Sequence, residues 1–495
     1  MGLESKRWSS TRGSVKVRLP KVSVSKKTKR RLLIAAACWL LFVSASIIIT
    51  AVSLRINNLA ELKELFAGWR TPDAGRTVLV VAPHCDDETI AVGGLIRQAL
   101  ESGADVWVVV VTNGDGFRAA VAWDTRSIKP KPENYIEFGR LRQRETLAAL
   151  QRLGVSSEHV IFLGYPDRGT ERMWTVNWSR QYRSPYTNDS RSPYSDSFTP
   201  NTPYTGRQMF SDLIKIIRKT NPTDIYIPHP NDQHPDHWAA SVFAAAALEE
   251  LGAFEPYHVG LYLVHRGDWP VPQGLHPDVS LVPPAKLSEL DTDWYQFPLW
   301  TTTVTAKRQA VGEFKSQKVG VQRFMHSFVR ENELFGIRDP RAKIPRAENI
   351  RIDGRIEDWD GIEPIILDPA DDGIPAHSSP GADLVRVYAA ESDARLCMRI
   401  SVRGRVTSDS IYEIAVHELE PRGEEDSDTT VVTLRRGRPA PVGWQAAYGV
   451  RDIEISAPKR KWQSSKIIVS VSTRSKLYEI TWRDIDRSAY KILQP

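Results

Sequence analysis

Cysteine is scarce: the 495-residue chain has three, Cys38, Cys85 and Cys397, too widely separated to form a disulfide framework. They leave the redox compartment open. A net basic excess is also missing from most of the chain. The formal net charge is +6, yet residues 1–55 carry twelve Lys and Arg against one Glu, which leaves the rest at −5. A mildly acidic body argues against a nucleic-acid partner. What remains is ordinary globular composition, 41% hydrophobic and 25% charged, in a chain long enough for two or three domains.

One apolar run is long. Leu32 to Leu54 is 23 residues without a charge, enough to span a bilayer. It predicts a transmembrane anchor at 32–54 behind a basic, Ser-rich, disordered cytoplasmic tail at 1–31. A cleaved signal peptide is the alternative. The long basic lead-in and the continuation of the run past Ser44–Ser46 oppose it. Eight Lys and Arg lie between Val15 and Arg31, against three between Arg55 and Ala74. That bias puts the N terminus in the cytoplasm and the body outside, in the periplasm or on the cell surface. Residues 55–75 read as a juxtamembrane linker, with a short amphipathic helix at Ile56–Trp69.

Two clusters carry the chemistry. In Val78–Glu88, VLVVAPHCDDE, four apolar residues predict a strand buried on both faces, which Pro83 ends. His84, Asp86, Asp87 and Glu88 then fall on a loop at the strand's carboxyl end, where open α/β sheets bind ligands. Adjacent carboxylates repel unless a cation lies between them; an acidic helix N-terminus is the plainer alternative. The second cluster, His229–His237, HPNDQHPDH, follows the strand-like DIYIP and precedes an alanine-rich helix. Its prolines and aspartates suit a rigid loop that aims side chains.

Together the clusters resemble the LmbE/PIG-L-type deacetylases, zinc enzymes that remove acetyl groups from N-acetylglucosamine-containing compounds. The family's motifs, AHPDDE and HPDH, stand here as Pro83-His84-Cys85-Asp86-Asp87-Glu88 and His234-Pro235-Asp236-His237, within a resemblance covering roughly Arg76 to His265. The resemblance implies Zn²⁺, or another divalent metal, on His84, Asp87 and His237. It implies Asp86 as general base, a His234 that polarises the carbonyl and stabilises the oxyanion, and an Asp236 that orients or tunes His234. Two imidazoles and one carboxylate would leave a position for water, of lowered pKa. Asp86 could relay its proton, and a protonated His234 could neutralise the oxyanion. Cys85 stands where the family has proline. Cysteine is a zinc ligand type, but neighbouring side chains on a loop point apart.

Along the chain, strands are expected at Thr77–Ala82, Val106–Thr112, Val160–Leu163, Thr223–Pro228 and Gly260–His265, with helices at Ile90–Leu100, Tyr135–Leu153, Gly206–Lys219 and Trp238–Leu251. This alternation predicts an α/β, Rossmann-like, mostly parallel sheet with helices on both faces over 76–337. Three rim residues are candidate substrate contacts: Asn113 in Thr112–Gly116, Arg142 of an RxxE pattern with Glu145, and Asp167 in Gly164–Asp167. For Arg142 a solvated helix pair is the alternative. The aromatics of Met173–Tyr204 suggest the lid or wall of a glycan groove, against a flexible surface loop. His265 ends a strand and is either near the site or a local hydrogen-bonding residue. Ala306–Phe328 reads as one closing helix whose basic face, Lys307 included, is solvated.

A linker at 338–348 leads to 349–495. There Ile350–Gly354 with Asp358-Trp359 resembles the opening of carbohydrate-binding-type β-sandwiches, and short alternating strands recur. Sugar binding and a structural spacer stay open for it. The expected function is a membrane-anchored, zinc-dependent N-deacetylase acting on an acetylated amino sugar of an envelope or extracellular glycan. The rivals are an amidase on a thiol-sugar conjugate or lipid-linked glycan, and a non-catalytic glycan-binding protein. Protease added to intact cells should digest the body; a protected body would reverse the orientation.

Overall fold

In the computed structural model, residues 67–494 are described, apart from 268, 289, 318–319, 375–378, 420–428, 460–465 and 478–480. The expected tail, the anchor and most of the juxtamembrane stretch lie outside the described residues. Among those described, no helix is long and apolar enough to cross a membrane.

One sheet has seven strands: β1 (Thr77–Ala82), β2 (Asp105–Thr112), β3 (Val160–Tyr165), β4 (Asp224–Pro228), β5 (Val259–Tyr262), β6 (Asp293–Pro298) and β7 (Asn332–Ile337). Their order is β3-β2-β1-β4-β5-β7-β6. The first five pair in parallel, and β6 and β7 add an antiparallel edge. The sheet is therefore mixed; β6 comes from a Trp- and Pro-rich stretch, and β7 from Asn332–Ile337, NELFGI. Eight helices accompany it among the described residues: α1 (Asp87–Glu101), α2 (Arg118–Asp124), α3 (Pro132–Leu153), α4 (Thr170–Trp174), α5 (Gly206–Thr220), α6 (Pro235–Glu250), α7 (Thr301–Val311) and α8 (Gln322–His326).

The period of two along β1 divides the core. Val78 and Val80 join Leu95 and Ile96 of α1 and Leu150 of α3, while Leu79 and Val81 join Ile216 of α5 and Phe243 of α6. Strand order reverses between β1 and β4, so their carboxyl ends flank the crevice where such sheets bind ligands.

Two helix starts differ from expectation in a way that matters for the site. α1 begins at Asp87 and α6 at Pro235. Asp87, Glu88, Asp236 and His237 thus sit in first helical turns, not on loops. Pro235 suits the first helical position because it lacks the N–H that would go unpaired there. The helix expected over Ala306–Phe328 is two, α7 and α8, because the chain leaves α7 at Gly312 and turns at Gly320 (φ +87°).

Lys307 is not solvated. It is fully buried, with Nζ 2.5 Å from Glu333 Oε1. Glu333 also accepts the amide N–H groups of Gly94 (2.6 Å) and Leu95 (2.8 Å) in the middle of α1.

The remaining strands form a sandwich. They are β8 (Arg341–Lys343), β9 (Ile366–Leu367), β10 (Leu384–Glu391), β11 (Arg395–Val402), β12 (Ser410–Leu419), β13 (Thr430–Leu434), β14 (Gln445–Tyr448), β15 (Asp452–Pro458), β16 (Lys466–Leu477), β17 (Thr481–Arg487) and β18 (Lys491–Gln494). One sheet runs β14-β15-β11-β10-β9; the other runs β13-β12-β16-β18-β8, with β17 on β16. Val387, Met398 and Ile455 of the first face Ile414, Val432 and Val469 of the second in one core. Arg341–Lys343, read as linker, is a strand parallel to β18.

The outer face of the second sheet packs on the α/β part. Leu419, Ile468, Tyr490 and Ile492 share a core with α6, and Trp238 Nε1 donates to Ser488 O at 3.0 Å. This contact takes Trp174 and Trp178 out of the lid expected at Met173–Tyr204. Trp174, Trp178, Tyr194 and Tyr204 are buried, and the indoles of Trp174 and Trp178 lie 4.5 and 4.1 Å from the His417 ring of β12. Trp174 and Trp178 cover the sandwich, Tyr194 donates to Asp115 Oδ2 at 2.7 Å, and the partly exposed Tyr182 and Tyr186 lie against Gly169 and Gly116, beside Asp167.

Glu333→Ala should cost about 3–5 kcal/mol, because it leaves a buried ammonium and two helix amides without their acceptor. The midpoint of urea unfolding measures this, and an unchanged midpoint would contradict it.

Candidate metal centre

Strand β1 delivers His84 to the crevice, and the turn after it is under strain. Asp86 caps α1 with φ 143°, a region L-residues rarely occupy, at a cost of about 1–3 kcal/mol. Side chains hold it there. Glu88 Oε2 accepts the Asp86 N–H at 3.0 Å. Gln317 Nε2 donates to Asp86 Oδ2 at 2.7 Å, and the Arg142 guanidinium lies 3.2 Å from the same oxygen.

Three atoms from the two motifs form a triangle. His84 Nδ1 is 3.1 Å from Asp87 Oδ2, His237 Nε2 is 3.0 Å from that oxygen, and the two nitrogens are 3.3 Å apart. Zinc held tetrahedrally at about 2.0–2.1 Å sets its ligand atoms about 3.3–3.4 Å apart, so the donor set and its spacing fit such an ion. Asp87 Oδ1 is buried without a hydrogen-bond partner, a further oxygen for which a cation would account. His265 belongs to the same cluster, with ligand atoms of all four residues within 4.8 Å of one another.

The other ring nitrogens face carboxylates. His84 Nε2 lies 3.3 Å from Asp236 Oδ2 and 3.5 Å from Asp167 Oδ1, and His237 Nδ1 lies 3.1 Å from Asp232 Oδ2. Such outer carboxylates fix ring orientation and raise imidazole basicity. The pairing differs from the expected one. Asp236 faces His84, while its carboxylate stands 4.0 Å from His234 Nδ1. Thr170 Oγ1 and the amides of Arg168 and Thr170 hold Asp236 in that position. His234 Nδ1 instead accepts the Asp236 backbone N–H at 3.2 Å. Its ring hydrogen therefore sits on Nε2.

Charge follows from this packing. Burial opposes a proton on His84, but Asp167, Asp236 and Asp87 outweigh it and hold its pKa well above the ordinary imidazole value. Burial, with His84, His265 and His237 close by, keeps the His234 pKa well below it. Burial pushes Asp86 up to about 6 against the pull of Arg142.

The cluster opens into a cavity of about 240 Å³. Asp167 and Arg168 line one side; Phe324, Val321 and Ile90 line an apolar one. Phe324 stacks on His265 at 5.7 Å. Arg142 borders the cavity but spends its fork on the chain, donating to Cys85 O (2.6 Å) and Gly114 O (3.1 Å). Gly114 makes this possible, since a Cβ there would meet Arg142 Nη1 at 1.6 Å. Glu145 accepts the Ser316 amide and hydroxyl, next to Gln317, and does not pair with Arg142. Asn113 is buried against Gly139, away from the cavity. Cys85 points into the core with its thiol pKa pushed up by burial, and no cluster of ligand atoms among the described residues includes it.

Residues 79–248 match the family described as PIG-L: GlcNAc-PI de-N-acetylase. Residues 79–248 thus form a PIG-L-type domain whose relatives include deacetylases. Diacetylchitobiose deacetylase of Thermococcus kodakarensis is 23% identical over 240 residues, 45% of this chain and 71% of that protein. The 1D-myo-inositol 2-acetamido-2-deoxy-alpha-D-glucopyranoside deacetylase of Kribbella flavida is 30% identical over 188 residues, 36% of this chain and 58% of that protein. Among solved structures, N,N'-diacetylchitobiose deacetylase from Pyrococcus horikoshii aligns with a TM-score of 0.30 and 22% identity, covering 50% of this chain and 72% of that one.

Two residues of the PIG-L domain's site, Asp232 and Gln317, escaped the sequence reading, and His265, left open there, joins the cluster. Asp232 lies inside HPNDQHPDH, but spacing alone does not say which aspartate meets which histidine. Gln317 sits in a connection with no motif. Asp232→Asn should weaken zinc binding about 10–100-fold in a chelator-competition titration; unchanged affinity would remove Asp232 from the centre.

Proposed function

We propose that the protein is a metal-dependent N-deacetylase that hydrolyses the acetamide of an N-acetylated amino sugar. The observation that carries this reading is the triangle of His84 Nδ1, Asp87 Oδ2 and His237 Nε2 beneath a cavity into which Asp86 and His234 also face. The relatives' printed activities, on diacetylchitobiose and on a 2-acetamido-2-deoxy-glucopyranoside, agree with it.

Held by His84, Asp87 and His237, Zn²⁺ would lower the pKa of a ligated water toward about 7 and polarise the amide carbonyl. Asp86 takes the proton of the attacking water and returns it to the departing amine, so that amide and water become amine and acetate. Its strained turn and its bonds to Gln317 and Arg142 aim the carboxylate. His234, whose Nδ1 accepts the Asp236 N–H, donates its Nε2 hydrogen to the carbonyl oxygen as charge develops there. Asp232 and Asp236 hold the two ligand rings.

The cavity, at about 240 Å³, is smaller than the roughly 300–1,000 Å³ of pockets for drug-sized ligands. That size supports one acetylated sugar ring, with an apolar neighbour or aglycone set against Phe324 and Ile90. A glucosaminyl conjugate, thiol-bearing or lipid-linked, satisfies these terms as well as a chitooligosaccharide end. Sugar binding by the sandwich is not part of the proposal: its large exposed apolar side chains among the described residues are Ile356, Ile374, Val442 and Val450, none aromatic. On sequence alone, the proposal extends to an anchor at 32–54 and a glycan outside the membrane.

Zinc-loaded protein should release acetate from a panel of N-acetylglucosamine compounds, and chelation should stop it. Asp86→Asn should lower kcat by about 10²–10⁴ with zinc still bound. Wild-type protein that holds zinc yet frees no acetate from any member of the panel would refute the activity.

A further inference from the structure

A second group of carboxylates lies away from the metal centre, where the sandwich meets the His229–His237 loop. Asp368 follows β9, Asp372 lies four residues on, and Asp486 is on β17. One carboxylate oxygen from each lies within 4.8 Å of the others.

Two observations beyond the clustering point to a ligand. Asp368 is 4% exposed, and its Oδ2 has no hydrogen-bond partner. Asp372 Oδ1 is likewise buried and unpartnered. The remaining oxygens are engaged: Asp368 Oδ1 accepts from Asn231 Nδ2 (3.2 Å), Asp372 Oδ2 lies 3.3 Å from Arg266 Nη1, and Asp486 accepts the amides of Leu384 (2.7 Å) and Arg487 (2.8 Å). Arg266 and Arg338 offset part of the charge at Asp368, and Arg266 and Lys286 part of that at Asp372. Arg338 is directed to Asn231 Oδ1 and Asp291. Leaving the other oxygens bare in the interior is costly unless a cation meets them.

The donor chemistry selects the ion. Every candidate ligand is a carboxylate oxygen; no imidazole or thiolate belongs to the cluster. Hard divalent cations, calcium above all, take six to eight such oxygens, whereas zinc prefers nitrogen and sulfur. A cavity of about 190 Å³ borders Asp372 and Asp486, which leaves room for several waters to complete a calcium shell.

We propose that Asp368, Asp372 and Asp486 form a calcium site that fastens the sandwich to the loop bearing the catalytic motif. The same segment already grips that loop from both ends. Asn231 donates to Asp368, and Gln233 Nε2 donates to Asp372 O at 2.9 Å. Between them stands Asp232, which faces His237 in the metal centre. Calcium here orders the loop from behind without entering the reaction.

The test uses the full chain with zinc already loaded. Equilibrium dialysis should count one calcium per chain beyond the zinc. Calcium at 100 times its Kd should raise Tm by on the order of 5 °C. Asp368→Asn and Asp486→Asn should lose both the bound calcium and the shift, while Asp87→Asn, in the catalytic cluster, should keep them. No calcium bound to the zinc-loaded wild type at millimolar concentration overturns the proposal, whatever the variants do. So does calcium binding that survives Asp368→Asn or disappears with Asp87→Asn.

Discussion

Buried negative charge is the constraint around which this molecule is built. Asp86, Asp87, Asp167, Asp232 and Asp236 are all buried within reach of His84 or His237, with Arg142 set against them. Such a cluster is stable only with a cation among the carboxylates or protons on the imidazoles. Much of the local structure serves it. Helices α1 and α6 present their N-terminal ends, where the dipole favours acidic side chains. Glu88 and Gln317 hold Asp86 in a conformation that it would not adopt unaided. Asp232 and Asp236 fix the two imidazole rings from behind.

The sandwich belongs to this arrangement. Its outer sheet shares a core with α6, the helix whose first turn carries Asp236 and His237. Contacts from the Asp368–Asp372 segment reach Asn231 and Gln233 on the loop that leads into that helix. The β strands are thus a wall against which a rigid catalytic loop is set. Burying Trp174 and Trp178 against His417 is part of the same interface.

Much of the α/β sheet was legible because its signals are local. The parallel strands β1 to β5 show as apolar runs closed by Pro, Gly or polar residues, and the motif histidines follow two of them directly. The antiparallel edge strands were not legible: Asn332–Ile337 and Asp293–Pro298 owe their pairing to distant partners. Lys307 shows the same limit. Helical periodicity placed it on a basic face, and only the fold brings Glu333 beside it. The roles around the two histidines failed for another reason. Asp236 is two residues from His234 and was matched to it, whereas its position in a helical turn sends the carboxylate to His84.

The sequence by itself determined that two clusters of histidines and carboxylates follow strand ends, because that lies in short-range pattern; the metal and amide chemistry came from the resemblance of their motifs to a family. Only the tertiary structure decided which carboxylate supports which imidazole, that His265 and Gln317 join the site, and that Trp174 and Trp178 are interface. Those outcomes depend on contacts between segments tens to hundreds of residues apart, and no local propensity encodes them.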